Sequence, residues 1–380
     1  MTVRSVTSTA TMNTANSSMV AGDYMFFQPA TYSITTSVAL VNGCYYIGQP
    51  GVIISAGAAV DLFTMITGTN NNIYISGFTF DETNFQSPNA AVRLVGNTGP
   101  VGSGLNKVTI ANCTFQNILG TTASVFVYQS DNVRIDNNTF QNVYQAAAIH
   151  NNDALSHQNI SFSGNTVRGS QRMGVELQAG GSPLSPYNNL TINNNLFCDI
   201  PNNEAISIGF NVNNATGCQI AGNRFFGCIS SIELALSNAV LYGNTFYNCP
   251  GCFLISTAEN TLMFGNVMKG CVNSNIYAVD GGYPGTIASV QNVYIGANMV
   301  DGTIVNGNVG GTYGAVSTTS TAGFDGQSFA LPDYVSVQNF TQLDALFQDA
   351  GPAGRIVPLN MRQLFMSVAD QAYFNSSTFP

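Results

Sequence analysis

The side chains best suited to chemistry in this 380-residue sequence fall between positions 126 and 233. Glu176 and Glu233 form a pair of carboxylates, with Asp153 as a substitute for either. One carboxyl acting as acid and another as base, on either side of a glycosidic bond, is the minimum that sugar hydrolysis requires. His150 is one of only two histidines, and its imidazole titrates near neutral pH, which suits a general base oriented by Glu176. Arg172 can neutralise a uronate carboxylate or hold a sulfate. With His150 it suggests a second chemistry, β-elimination from an acidic polysaccharide. Phe126 and Tyr128 offer aromatic faces for sugar rings, and Gln178 adds a side-chain amide on the same side. The plainer reading of each residue is a solvating glutamate, an exposed histidine and an ordinary ion pair at Arg172.

These residues become neighbours only through an internal repeat. The phrase apolar-x-x-Asn-x-Phe recurs as Ile135–Phe140, Ile192–Phe197, Ile220–Phe225 and Leu241–Phe246, with weaker copies ending at Phe80, Phe115, Val167, Met268 and Val300. Its first apolar residue falls at 75, 110, 135, 162, 192, 220, 241, 263 and 295. Intervals from 21 to 35 residues are too irregular for helical repeats of fixed length. Each copy holds two alternating apolar runs around Gly or Asn, the pattern of short strands joined by tight turns. Asn recurs three residues after the anchor, at 138, 165, 195, 223, 244, 266 and 298, and is expected to supply the left-handed conformation of those turns and to stack as a ladder. Successive coils then lie about 4.8 Å apart.

The stacked pattern resembles a right-handed parallel β-helix of the pectate-lyase-like superfamily over about residues 20 to 310. Ala21-Gly22-Asp23-Tyr24 followed by Gln28-Pro29-Ala30-Thr31-Tyr32 is similar to that superfamily's approach to its first coil, and Gly48–Val52 and Ile73–Phe78 continue it. The resemblance implies an all-β solenoid. It transfers no catalytic residue, because the Asn-Thr-Asp, Asp-Asp, Gly-His-Gly and Arg-Ile-Lys signatures of polygalacturonase-like members are missing from this sequence. The Arg and Lys pattern of calcium-dependent pectate lyases is missing too, since Lys107 and Lys269 are the only lysines.

Aligning the strand before each phrase gives rungs Val125–Tyr128, Ala147–His150, Val175–Gln178, Ile206–Gly209 and Ile232–Ala235. If Val127, Ile149, Leu177, Ile208 and Leu234 point inward, alternation puts His150, Glu176, Gln178, Ser207 and Glu233 outside. Glu176 and Glu233 then stand two rungs apart, about 9.5 Å between backbones, at the upper end of the roughly 6.5–9.5 Å carboxyl separation of inverting hydrolysis. Segments Asn151 to Gln158 and Gly180 to Asn188 are expected to wall a groove there.

Composition closes off several function classes. Ten Lys and Arg against nineteen Asp and Glu, a net charge of -9 and no basic cluster remove the footprint of a nucleic-acid binder. Apolar stretches such as Val38–Val41 and Cys252–Ile255 are far shorter than the roughly eighteen residues of a spanning helix, so no membrane insertion is expected. Met1–Thr11 lacks the apolar centre of a secretory signal. Cys228, Cys249 and Cys271 each follow a repeated apolar position by three residues, which stacks them as small buried hydrophobes and not as disulfides. No metal site and no cofactor are expected, and the Asn-x-Ser/Thr sequons at 112, 137, 159, 189 and 214 fall on or next to the strand and turn motif.

Domain organisation follows the repeat: residues 1–310 form the β-helix with an N-terminal cap, 311–327 a linker, and 328–380 a capping or oligomerisation segment. Helix caps at Thr341 and Asn360 predict two short helices in the last of these. The function expected is an extracellular or virion-associated spike, a homotrimer that binds surface polysaccharide, with cleavage of that polysaccharide left open. A secreted polysaccharide lyase or glycoside hydrolase and a purely structural surface protein are the alternatives.

Overall fold

Isoleucine and phenylalanine recurring once per coil cannot bury themselves in a single hairpin; they need a neighbouring coil above and below. The computed structural model meets that need by stacking. It describes residues 1–68, 72–96, 104–120, 123–151, 157–179, 187–212, 217–236, 238–257, 261–269 and 271, and the strands Ile276–Ala278, Tyr294–Gly296 and Met299–Val300. Among the described residues the strands form three parallel sheets, a first of 12 strands, a second of 11 and a third of 10, and the chain visits each once per coil. The result is a right-handed parallel β-helix.

The register follows the repeat. All nine anchors pair in one column of the first sheet, from Ile75 beside Ile110 to Met263 beside Ile295. The phenylalanine positions pair in the second sheet, where Phe115 and Phe140 stack at 4.9 Å and Phe225 and Phe246 at 4.7 Å. From Ile75 to Met263 and from Phe80 to Met268 both columns are fully buried, so each coil contributes an apolar layer to one continuous core.

The asparagines do something different from the expectation. The residue in the left-handed region is the one before the ladder asparagine: Asn137, Gly164, Asn194, Gly222, Gly243 and Gly265, with φ between 56° and 68°. At Gly164 space also matters, since a Cβ there would collide with Asn137 Oδ1. The ladder asparagines 138, 165, 195, 223, 244 and 266 are buried, and each Oδ1 from 138 to 266 accepts the backbone N–H of the coil before it. Their amides return a hydrogen bond to a backbone carbonyl, as Asn195 Nδ2 does to Phe162 O at 2.8 Å. Backbone polar groups buried at the turn are thereby satisfied coil after coil.

A helix not anticipated from the sequence, Thr9–Ser17, packs against the first coil with Met12 buried beneath it. Ser8 and Thr11 form a capping box at its N-terminus. It covers sheet edges and core that would otherwise meet solvent at the solenoid end. All eight cysteines are free and buried, as the column reading anticipates. The chain divides into units Met1–Phe329 and Ala330–Pro380. The expected linker at 311–327 and the expected helices after Thr341 and Asn360 lie outside the described residues.

Candidate functional site

The third sheet carries the residues singled out for chemistry, on strands Val125–Tyr128, Ala147–Asn151, Val175–Ala179, Glu204–Val212 and Ser230–Leu236. Val127, Ile149, Leu177, Ile208 and Leu234 share one register column and are all fully buried in the core. The strand phase is therefore as read from the alternation. Its complement forms two outward columns: Phe126, Ala148, Glu176, Ser207 and Glu233 in one, and Tyr128, His150 and Gln178 in the other.

Glu176 is the centre of this face. Its side chain is only 2% exposed although it points away from the core, because neighbouring side chains close over it. Arg172 NH2 donates to Oε1 at 3.2 Å and NH1 to Oε2 at 3.3 Å. Gln145 Nε2 donates to Oε2 at 2.9 Å and Gln178 Nε2 to Oε1 at 2.6 Å. His150 Nε2 stands 3.4 Å from Oε2. Burial pushes the Glu176 carboxyl up, but the polar contacts of His150 and Gln145 and the charge of Arg172 outweigh it and hold the group below the usual glutamate value. Glu176 is thus an ionised group whose lone pairs are already occupied by donors.

Arg172 reaches it because the turn between sheets is tight. A Cβ on Gly174 would collide with Ala205 O and lie 2.7 Å from the Phe197 ring, so the short step from Arg172 to Glu176 needs glycine there. Arg172 also donates to Gln145 Oε1 at 2.9 Å, which fixes the guanidinium between two coils.

Farther along the column, Ser207 Oγ donates to Glu233 Oε2 at 3.1 Å, and Glu233 is 7% exposed. Glu204, half-buried, joins the group electrostatically: burial and the neighbouring Glu233 raise its carboxyl above the usual value, against the pull of Arg172. On the other side, Phe126 lies edge-on to His150 at 5.3 Å and alongside Tyr128 at 6.1 Å.

The structure therefore brings together Phe126, Tyr128, His150, Arg172, Glu176 and Gln178, and continues the same column to Glu233. Asp153 and the central parts of both expected groove walls, 152–156 and 180–186, lie outside the described residues. Gln145 and Glu204 were not singled out from the sequence. Each sits at the entry to its strand, in Gln145-Ala146-Ala147 and Glu204-Ala205-Ile206, where the chain turns into the sheet and alternation is not yet established. A polar residue followed by two small or apolar ones at this coil position was the available signal.

The sequence matches the family described as periplasmic copper-binding protein (NosD) over residues 69–315. No curated protein matches it. Among solved structures, the surface adhesin PfbA of Streptococcus pneumoniae is similar, at 13% identity and TM-score 0.40 over 81% of this chain and 87% of that one. A mannuronic acid specific polysaccharide family 6 lyase from human gut microbiota has 13% identity and TM-score 0.45 over 82% and 78% of the two chains. The A-module of the Azotobacter vinelandii mannuronan C-5 epimerase AlgE6 has 13% identity and TM-score 0.42 over 81% and 89%.

Proposed function

Since this chain belongs to the NosD family, whose fold is the right-handed parallel β-helix, we propose that its solenoid is a scaffold for binding and cleaving polysaccharide. The site is the outer face of the third sheet from Phe126 to Glu233. The observation that carries this reading is the neighbourhood of Glu204 and Glu233: burial and the charge of Glu233 hold Glu204 above the usual value, while Glu233, on the outward column, accepts a hydrogen bond from Ser207 Oγ at 3.1 Å. Environments that push neighbouring carboxyls apart separate acid from base. Glu204 is the group most readily kept protonated and serves as the acid; Glu233 serves as the base. Glu176 positions His150 and Arg172, and Phe126 and Tyr128 provide apolar surface beside them.

Copper, which the family's description names, has no evident place in this chemistry. Among the described residues no three His, Cys, Asp or Glu side chains gather as a metal-binding group. Among the buried thiols, burial pushes Cys113 up to about 12 and Cys198 and Cys218 up to about 11, which makes these three poor thiolate ligands, whereas the hydrogen bond with Cys228 lowers Cys249 to about 7.

A panel of neutral and charged polysaccharides, followed by product size and by unsaturated-uronate absorbance, tests the activity. Cleavage that falls at least about 100-fold in Glu204→Gln and Glu233→Gln, with the fold intact, is the expected result. Unimpaired cleavage in both variants would remove these residues from the mechanism.

The finer reading is a trimeric spike on a cell or virion surface. It is supported by a composition of only 8% charged residues with abundant Gly, which suits a durable external surface. Light scattering is expected to give a trimer for the whole chain and a monomer after removal of all residues beyond Gly326. A truncated chain that stays trimeric would exclude a C-terminal subunit contact.

A further inference from the structure

Cys228 and Cys249 face each other across two neighbouring coils, at the corner where the second sheet turns into the third, and the proposed cleavage uses neither. Their register is fixed from both sides. Phe226 pairs with Tyr247 before the turn and Ser230 with Gly251 after it, so the two coils cross the corner in step. The sulfurs also share one orientation, lying 3.7 and 3.4 Å from the carbonyl oxygens of Phe226 and Tyr247, the residues two positions earlier. In-register neighbours on parallel strands have Cα atoms about 4.8 Å apart, inside the roughly 4.4–6.8 Å that a disulfide spans.

The two thiols are in contact. That of Cys228 donates to the sulfur of Cys249, and the hydroxyl of Ser231, fully buried and without another hydrogen-bond partner, faces the same sulfur. The Cys228 contact, helped by Ser231, outweighs burial and holds Cys249 down to about 7, so a thiolate forms there near neutral pH. Both side chains are buried, yet each lies one residue below solvent. Gly227 and Ile229 flank Cys228, Asn248 and Pro250 flank Cys249, and all four are exposed. Local opening of such a turn admits a molecule as small as hydrogen peroxide.

We propose that Cys228 and Cys249 are a site of peroxide oxidation that closes a disulfide between two coils. The Cys249 sulfur attacks one peroxide oxygen; an S–O bond forms, the O–O bond breaks and hydroxide leaves. The Cys228 sulfur then displaces hydroxide from the sulfenic acid, forming the S–S bond as the S–O bond breaks. With the two thiol protons these hydroxides become water, so two thiols lose two electrons in all and one peroxide gives two waters. Cys252 and Cys271 are the contrast. They also touch, but the pairing of Phe253 with Ile276 puts them out of step, and burial pushes the Cys252 thiol far up.

Treating the native protein with hydrogen peroxide, removing the excess with catalase, then unfolding and alkylating it tests the proposal. Two fewer of the eight cysteines are expected to be alkylated than in untreated protein, and a reducing agent is expected to restore them. Trypsin leaves the pair on one peptide, since no Lys or Arg lies between Arg224 and Lys269. Chymotrypsin, cutting at Leu234, Tyr242 and Tyr247, separates the two, and mass spectrometry then identifies the linked peptides. Cys249→Ser is expected to abolish the bridge and Cys252→Ser to keep it, while Cys228→Ser leaves a Cys249 sulfenic acid that a cyclic diketone probe traps. Should a variant fail to fold, the peptide map of the unmodified protein decides alone. Eight alkylated cysteines after treatment, oxidation without linked peptides, or a bridge joining another pair would each overturn the proposal.

Discussion

Replacing Asn195 by alanine is expected to lower the free energy of unfolding by on the order of 3–5 kcal/mol, although no catalytic atom is touched. Its Oδ1 accepts from Asn165 N at 2.8 Å and Asn165 Nδ2 at 3.1 Å, while its Nδ2 donates to Phe162 O at 2.8 Å and Asn223 Oδ1 at 2.9 Å. Alanine leaves several of these buried partners without a hydrogen bond and without water, and each such group costs about 1–3 kcal/mol. Asn142 provides the contrast, since its amide donates to Asn117 Oδ1 at 2.9 Å on the exposed surface. Asn142→Gly keeps the left-handed backbone and is expected to change stability by less than about 0.5 kcal/mol. Urea unfolding followed by circular dichroism measures both variants. A cost below about 1 kcal/mol for Asn195→Ala would mean that the inner ladder is not a principal source of stability.

The second large effect concerns the site. Arg172→Leu strips Glu176 of its cation while leaving the carboxylate buried, and removal of one partner of a buried pair typically costs about 3–5 kcal/mol. Because Arg172 is itself 34% exposed, the expected cost is smaller, about 2 kcal/mol. Adding Glu176→Gln to the same chain is expected to recover most of it, because the charge that needed neutralising is gone. A double mutant no more stable than Arg172→Leu would show that guanidinium packing, and not charge pairing, is what matters.

The same carboxylate gives a pH signature. Its folded-state value lies below the ordinary 4.5, so its stabilising contribution is present above that value and is lost as pH falls from there through the folded-state value. Glu176→Gln is therefore expected to flatten that part of the acid limb of the stability curve.

Much of this architecture was legible in the sequence because a solenoid repeats its constraints. An apolar residue at Ile135 is ambiguous alone, but Ile192, Ile220 and Leu241 at corresponding places, each followed by Asn and Phe, leave one arrangement that buries them all. The same reasoning identified which side chains of the third sheet point outward, since Ile149 and Leu177 could enter the core only if His150 and Glu176 left it. The turn chemistry was less legible. Asn137-Asn138 and Asn194-Asn195 place two asparagines side by side, and spacing does not reveal which adopts a positive φ and which carries the ladder. Gly164-Asn165 and Gly222-Asn223 held the clue, since glycine marks the left-handed place.

By itself, then, the sequence determined the stacked β-helix, its core columns and the outward placement of Glu176 and Glu233, because alternation and repeat spacing are properties of the chain alone. Only the tertiary structure decided how those outward groups are charged and paired. Gln145, the Arg172–Glu176 pair and Glu204 come from three successive coils, and the contact that fixes Arg172 against Gln145 depends on distances across coils that no spacing along the chain encodes.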